Sequence, residues 1–205
     1  MSRSDALPHL YSITRGLGIP TLIAGLTAAG CGVPGGGASR VEPVYDNATG
    51  RLQLLKYDAN GDGTIDTWSY MEGARVVRIE LDRDQNRVVD RWEYYRPDQT
   101  VEKIGASRAG DGTVDSWAFY DGAGALIKLE LSTRRNGHVD RIEHYERGSM
   151  VRTEHDTDAD GRMDKWETFE GSRLAAVAFD TQHRGTPDRR LVYSADGGVK
   201  LETIP

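Results

Sequence analysis

Cysteine is nearly absent: Cys31 stands alone among 205 residues. One thiol excludes an intramolecular disulfide framework and any zinc site built from several cysteines. Histidine is scarce as well, and none of His9, His138, His144, His155 and His183 falls in H-E-x-x-H or another zinc spacing. Neither a G-x-S-x-G nucleophile elbow nor a glycine-rich phosphate loop occurs, and catalysis is not expected. Long apolar runs are missing too. Residues 17–26 form an apolar stretch too short to span a bilayer of about 30 Å as a permanent helix. Only 38% of residues are hydrophobic against 28% charged, yet four Trp, nine Tyr and three Phe supply packing material that a disordered chain lacks. The net charge of -6 argues against nucleic acid as a partner and favours a cation.

The apolar stretch has the form of a secretory signal. Arg3 and Arg15 lie in a polar lead, and small residues Thr27-Ala28-Ala29-Gly30 close it before Cys31. Cys31 directly after Ala28-Ala29-Gly30 resembles the lipobox of bacterial lipoproteins, although Ala28 stands where Leu is commonest. The resemblance implies that Cys31 is the lipidated first residue of a membrane-anchored mature chain, held by acyl chains at about 0.8 kcal/mol per buried methylene. The plainer alternative is ordinary secretion with a free thiol. Gly32, in the place where Asp would retain an enterobacterial lipoprotein, implies the outer membrane and leaves its periplasmic and surface sides open. Residues 1–30 are thus expected to be a signal peptide and 31–43 the lipidated Cys with a Gly-rich tether. Residues 44–205 are expected to be the folded domain.

That domain is one unit repeated. Asp66, Asp90, Asp115, Asp140, Asp164 and Asp188 recur at spacings of 24 or 25 residues. Two residues after them stand Trp68, Trp92, Trp117, Ile142, Trp166 and Arg190, so all four Trp occupy one repeat position. Aromatic residues return four and five places after the Asp, with His144 in one of these places as a packed ring. Alternation of this kind describes a strand with one buried face. Acidic-Gly turns such as Glu72-Gly73 and Asp121-Gly122 follow, then a return strand such as Val76-Val77-Arg78-Ile79-Glu80. The expected fold is all-β, an antiparallel meander of about six 24-residue hairpins plus an N-terminal cap hairpin. It is either an open twisted sheet or a closed barrel, with the Trp column as its core seam.

The segments between hairpins carry the chemistry. Asp58-Ala59-Asn60-Gly61-Asp62-Gly63-Thr64-Ile65-Asp66 and Asp156-Thr157-Asp158-Ala159-Asp160-Gly161-Arg162-Met163-Asp164 both read D-x-[DN]-x-[DN]-G-x-x-D. These are the first nine positions of an EF-hand calcium loop. A hard cation of that size needs six to eight oxygens. Side chains at positions 1, 3, 5 and 9 supply four, and the carbonyl at position 7 (Thr64 or Arg162) adds one. One site is thus Asp58, Asn60, Asp62, Thr64 and Asp66. Another is Asp156, Asp158, Asp160, Arg162 and Asp164, with Glu167 at position 12 as a further ligand. Asp82, Asp84, Asn86 and Asp90 form a third, expected to be weaker because Arg87 replaces the Gly of position 6. The other three loops are eroded, and Arg134 and Arg184 there read as cationic substitutes for an ion rather than ligands.

The array resembles the calcium-loop hairpin repeats of bacterial envelope lipoproteins and, more distantly, MORN-like hairpins and thrombospondin type 3 repeats. The resemblance covers residues 44–202 and implies architecture and ion. The expected function is a lipid-anchored, calcium-binding structural or binding module. One alternative is an adhesion module that binds glycan or protein through exposed aromatics such as Trp92 or Trp117; another is a passive spacer without an ion.

Overall fold

The structure, a computed structural model, describes residues 40–204. Seven hairpins succeed one another: β1 (Val41–Tyr45) with β2 (Leu52–Tyr57), β3 (Thr67–Glu72) with β4 (Arg75–Leu81), and β5 (Arg91–Tyr95) with β6 (Val101–Ala106). They continue with β7 (Ser116–Tyr120) and β8 (Leu126–Leu131), then β9 (Arg141–Glu146) and β10 (Ser149–His155). The last two are β11 (Lys165–Glu170) with β12 (Arg173–Phe179) and β13 (Arg189–Tyr193) with β14 (Val199–Thr203). All 14 strands form one antiparallel sheet in sequence order, and β1 and β14 do not pair, so the sheet is open rather than closed into a barrel. Among the described residues no helix is long and apolar enough to cross a membrane. The signal, Cys31 and most of the tether lie outside the described residues. Val41, Glu42 and Pro43, read in the sequence as tether, instead belong to β1, because they pair with Tyr57, Lys56 and Leu55.

Opposed residues in an antiparallel ladder share a face. The register therefore lines up Trp68, Glu80, Trp92, Gly105, Trp117, Glu130, Ile142, Glu154 and Trp166 in one row across the sheet. The next row on that face alternates rings and cations. Arg78 lies 4.0 Å from the Tyr70 ring, Lys128 4.0 Å from Phe119, and Lys103 4.7 and 4.5 Å from Tyr94 and Trp117. Such contacts contribute about 0.5–1 kcal/mol each where solvent reaches them. His144, in an aromatic place of the repeat, hydrogen-bonds Glu154 at 2.7 Å.

The Trp face is not the buried one. All four Trp are half-buried, whereas the buried apolar side chains among the described residues, Ala118, Leu129, Leu131 and Val177, lie on the opposite face. Two devices make that face the core. Glu80, Glu130 and Glu154 interrupt the Trp row and basic residues interrupt the row beside it, so that face carries no continuous apolar strip. On the other face a β-bulge in each of the first six hairpins re-aims the return strand. In β8 the extra residue is Ile127, left 43% exposed, and Leu126 is turned to oppose Tyr120. Tyr120, Leu126 and Tyr145 then pack against Ala118, Leu129 and Leu131.

Gly105 is the one break in the Trp row with a packing purpose. A Cβ there would lie 2.7 Å from Cζ3 and 2.9 Å from Cη2 of Trp117. The indole thus lies directly against the β6 backbone.

Candidate metal-binding loops

A meander places alternate connections at opposite ends of the sheet. The short turns gather at one end, and six nine-residue loops, starting at residues 58, 82, 107, 132, 156 and 180, gather at the other. In each loop the N–H of position 9 donates to the carbonyl of the residue before position 1, as from Asp140 to Leu131 at 2.9 Å. The N–H of position 1 donates to the carbonyl of the preceding position 9, as from Asp156 to Asp140 at 2.9 Å. These bonds run from Asp58, which donates to Arg40, to Ile204, which donates to Asp188, and stitch every loop to the one before it.

Side chains complete the frame. The carboxylate of position 9 accepts the N–H of position 2 in all six loops: Ala59 to Asp66, Arg83 to Asp90, Arg108 to Asp115, Thr133 to Asp140, Thr157 to Asp164 and Thr181 to Asp188. Position 1, whether Asp or Ser, is buried in every loop. Its carboxylate wraps the turn: Asp156 accepts from Ala159 at 2.7 Å and from Gly161 at 3.0 Å, and Asp58 accepts from Gly61 and Gly63. The repeated Asp is thus first a backbone acceptor. That role explains why it persists in eroded loops where Ser107 and Ser132 occupy position 1.

Positive φ recurs at two loop positions, of which the sequence motif marks only one. Position 6 is left-handed throughout, including Arg87 at φ 70°. Position 4 is left-handed too, and there it is often not glycine: Gln85, Arg135, Ala159 and His183 have φ of 62°, 53°, 68° and 53°. An L-residue in this region costs about 1–2 kcal/mol, offset in part by the greater unfolded-state entropy of glycine. Ala159→Gly is therefore expected to stabilise the sheet by about 0.5–1 kcal/mol, read as a rise in the urea midpoint. A fall would show that the Ala159 methyl makes a contact worth more than the strain.

Three carboxylate groups converge in two of the three loops expected to bind an ion. In each, Asp82, Asp84 and Asp90 or Asp156, Asp158 and Asp164, one ligand atom per residue lies within 4.8 Å of the others. In the second loop the N–H of Arg87 donates to Asp82 at 2.7 Å, and its charge helps hold the Asp62 carboxyl below the usual range, after the larger effect of hydrogen bonds from Thr64 and Asn60. The first loop has no such acidic triad. Asn60 takes a carboxylate's place, and its amide donates to Asp62 at 3.1 Å. Asn60, Asp62, Thr64 and Asp66 instead face Asp82, Gln85 and Arg87 across a cleft of about 140 Å³. Asp160 converges with Asp158 and with His183 of the sixth loop, a residue that sequence reasoning did not single out because its loop lacks the ligand pattern.

Glu167 is not brought to the fifth loop. In an EF-hand a helix returns position 12 to the ion; here β11 starts at Lys165, and an extended chain carries Glu167 away at about 3.3 Å per residue. Its carboxylate accepts from Thr153 at 3.0 Å and pairs with Lys165 at 2.6 Å and His155 at 3.3 Å. Burial would raise its pKa, but Lys165 and Thr153 outweigh burial and hold it below the usual range. Arg134, read as a substitute for an ion, lies 3.8 Å from Asp140, and it also donates to the carbonyls of Asp156 and Thr157 in the next loop.

No protein-family model matches the chain, and no curated protein sequence does. Among solved structures, accessory secretory protein 1, 2 and 3 in Streptococcus pneumoniae aligns with 58% of this chain and 19% of its own at 15% identity and a TM-score of 0.29. The GtfA/B complex bound to UDP and GlcNAc aligns with 81% of this chain and 24% of its own at 9% identity and a TM-score of 0.21. The chain therefore spans less than two thirds of the length of either, and neither likeness bears on what the loops hold.

Proposed function

We propose that the chain is a lipid-anchored module of the bacterial envelope whose open sheet is braced by calcium in the second and fifth loops. The observation that carries this reading is the convergence of Asp82, Asp84 and Asp90, and of Asp156, Asp158 and Asp164. Two like charges 4.8 Å apart repel by about 1 kcal/mol in water and about 3 kcal/mol at a protein surface. A divalent cation reverses the sign of that cost in each triad. The donor set fits calcium: all oxygen, with Asn86 and Asp160 completing position 5 and the carbonyls of Val88 and Arg162 at position 7. Each carboxylate oxygen has two lone pairs, so Asp156 can accept its N–H bonds and still face an ion.

Thermal unfolding in EDTA and then in 1 mM calcium tests the reading. Two sites with dissociation constants of about 10⁻⁴ M would contribute about 3 kcal/mol together, a rise in Tm of about 6–12 °C for a chain of this size. Magnesium should not reproduce the rise. Asp158→Ala with Asp84→Ala should abolish it while leaving the fold in EDTA. Equal midpoints in EDTA and calcium would leave the loops as bare acidic turns and the chain as a spacer.

A further inference from the structure

The two edges of the sheet are built differently. On β14, Ile204 donates to the carbonyl of Asp188 at 2.9 Å and Ser194 donates to that of Gly198 at 2.9 Å. With the register between them, these bonds direct the backbone groups of Lys200 and Glu202 at β13 and those of Val199, Leu201 and Thr203 out of the sheet. No described strand receives them. Val199 and Leu201 are also the most exposed large hydrophobic side chains among the described residues, at 58% and 63%. On β1 the bond from Asp58 to the Arg40 carbonyl sets the corresponding parity and places Pro43 at an outward position, where it has no N–H to offer.

We propose that β14 is a self-association edge, pairing antiparallel with β14 of a second copy about a two-fold axis through Leu201. The segment Val199-Lys200-Leu201-Glu202-Thr203 is complementary to itself in that register. Leu201 opposes Leu201 of the second copy, Lys200 opposes Glu202 twice, and Val199 opposes Thr203. All outward-facing residues fall in hydrogen-bonded pairs, which gives about six new backbone bonds. The two neighbouring registers that keep this parity put Lys200 opposite Lys200, or Glu202 opposite Glu202, and directly opposed like charges are destabilising. Charge thus selects one register.

The faces continue as well. Val177, Leu191 and Leu201 share a row, which Leu201 of the second copy extends and covers. Glu202, already paired with Arg190 at 2.7 Å and Lys200 at 3.1 Å, gains a second lysine. Head-to-tail pairing of β14 with β1 would meet Pro43 and leave a bond unmade, whereas the two-fold pair closes on itself.

Sedimentation equilibrium of the full chain with reductant, at concentrations up to 1 mM, tests this. Wild type should approach twice the chain mass of 22.6 kDa and no more. Leu201→Pro should be monomeric throughout, and it spares the β13 ladder because that N–H points outward. Leu201→Lys, which leaves the backbone intact, should be monomeric too. Lys200→Glu and Glu202→Lys should each weaken pairing at least tenfold, and their equimolar mixture should restore it. A monomeric wild type, masses beyond the dimer, a dimer indifferent to both Leu201 variants, or a mixture no tighter than its components would overturn the proposal. The pairing needs only the folded sheet and stands apart from the calcium reading.

Discussion

Asp140→Ala is expected to lower stability by about 2–4 kcal/mol, although Asp140 lies in an eroded loop with no place in the calcium reading. Its carboxylate accepts the N–H groups of Thr133 at 2.9 Å and Arg134 at 3.1 Å, and the residue is only 5% exposed. Alanine would leave both donors without their carboxylate partner, at about 1–3 kcal/mol each. The ion pair with Arg134 adds little, since it is long at 3.8 Å and solvent reaches the arginine. Asp140→Asn keeps one acceptor oxygen and should lose less than half as much.

The pH dependence has a definite sign. Burial would raise the Asp140 pKa, but the hydrogen bonds from Thr133 and Arg134 outweigh burial and bring it below its ordinary 3.8. A carboxyl depressed by folding contributes stability above its unfolded pKa and loses it as pH falls through the folded value. The gap between wild type and Asp140→Ala in urea midpoint should therefore be full at pH 7 and shrink below about pH 4. Hydrogen exchange at Thr133 and Arg134 should accelerate in the variant. A gap that persists unchanged at pH 3 would mean that the carboxylate is not what holds the turn.

Gly105→Val is the second large effect. Strand propensity alone favours valine over glycine by up to about 1 kcal/mol. Packing decides the other way: the new side chain would start where the Trp117 ring already lies, 2.7 Å from its nearest atom. Displacing the indole also separates it from Tyr94, 5.8 Å away between ring centres, and from Lys103. A net loss of about 2–3 kcal/mol is expected, with a red shift of tryptophan emission as the ring moves into water. Gly105→Ala should lose roughly 1 kcal/mol. A valine variant at least as stable as wild type would show that the ring can lie elsewhere without loss.

Much of this molecule is legible in the sequence because the repeat restates each feature. One Asp-x-Trp can be chance, but the column from Asp66 to Asp188 locates six of the seven hairpins and puts all six loops at one end. The sequence misleads about faces. A column of four Trp reads as a core, yet glutamates and cations from the return strands interleave it, and only the pairing register reveals which residues oppose each Trp. The bulge that turns Leu126 toward Tyr120 leaves no mark on local composition. The loops show the same division. The ligand pattern marks Asp82, Asp84 and Asp90, which lie together in the fold, and the left-handed Arg87 is tolerated because its N–H is still used by Asp82. Left-handed backbone at Ala159 and His183 is invisible because neither residue advertises it. Glu167 falls at the right interval for an EF-hand, but an interval has that meaning only when a helix follows.

Each strand contacts only its neighbours in sequence, and the first and last strands lie at opposite edges of the sheet. The 13 spacings between them, at about 4.8 Å each, separate the ends by roughly 60 Å along the direction in which the hydrogen bonds point. A pull applied between those ends is then collinear with the interstrand bonds and loads them a few at a time. The sheet should yield under tension hairpin by hairpin, releasing slack in steps of about one repeat and re-forming them as the load drops. Resistance along the strands would be far greater. A chain built this way is stiff against stretching in one direction and behaves as an extensible tether in the other.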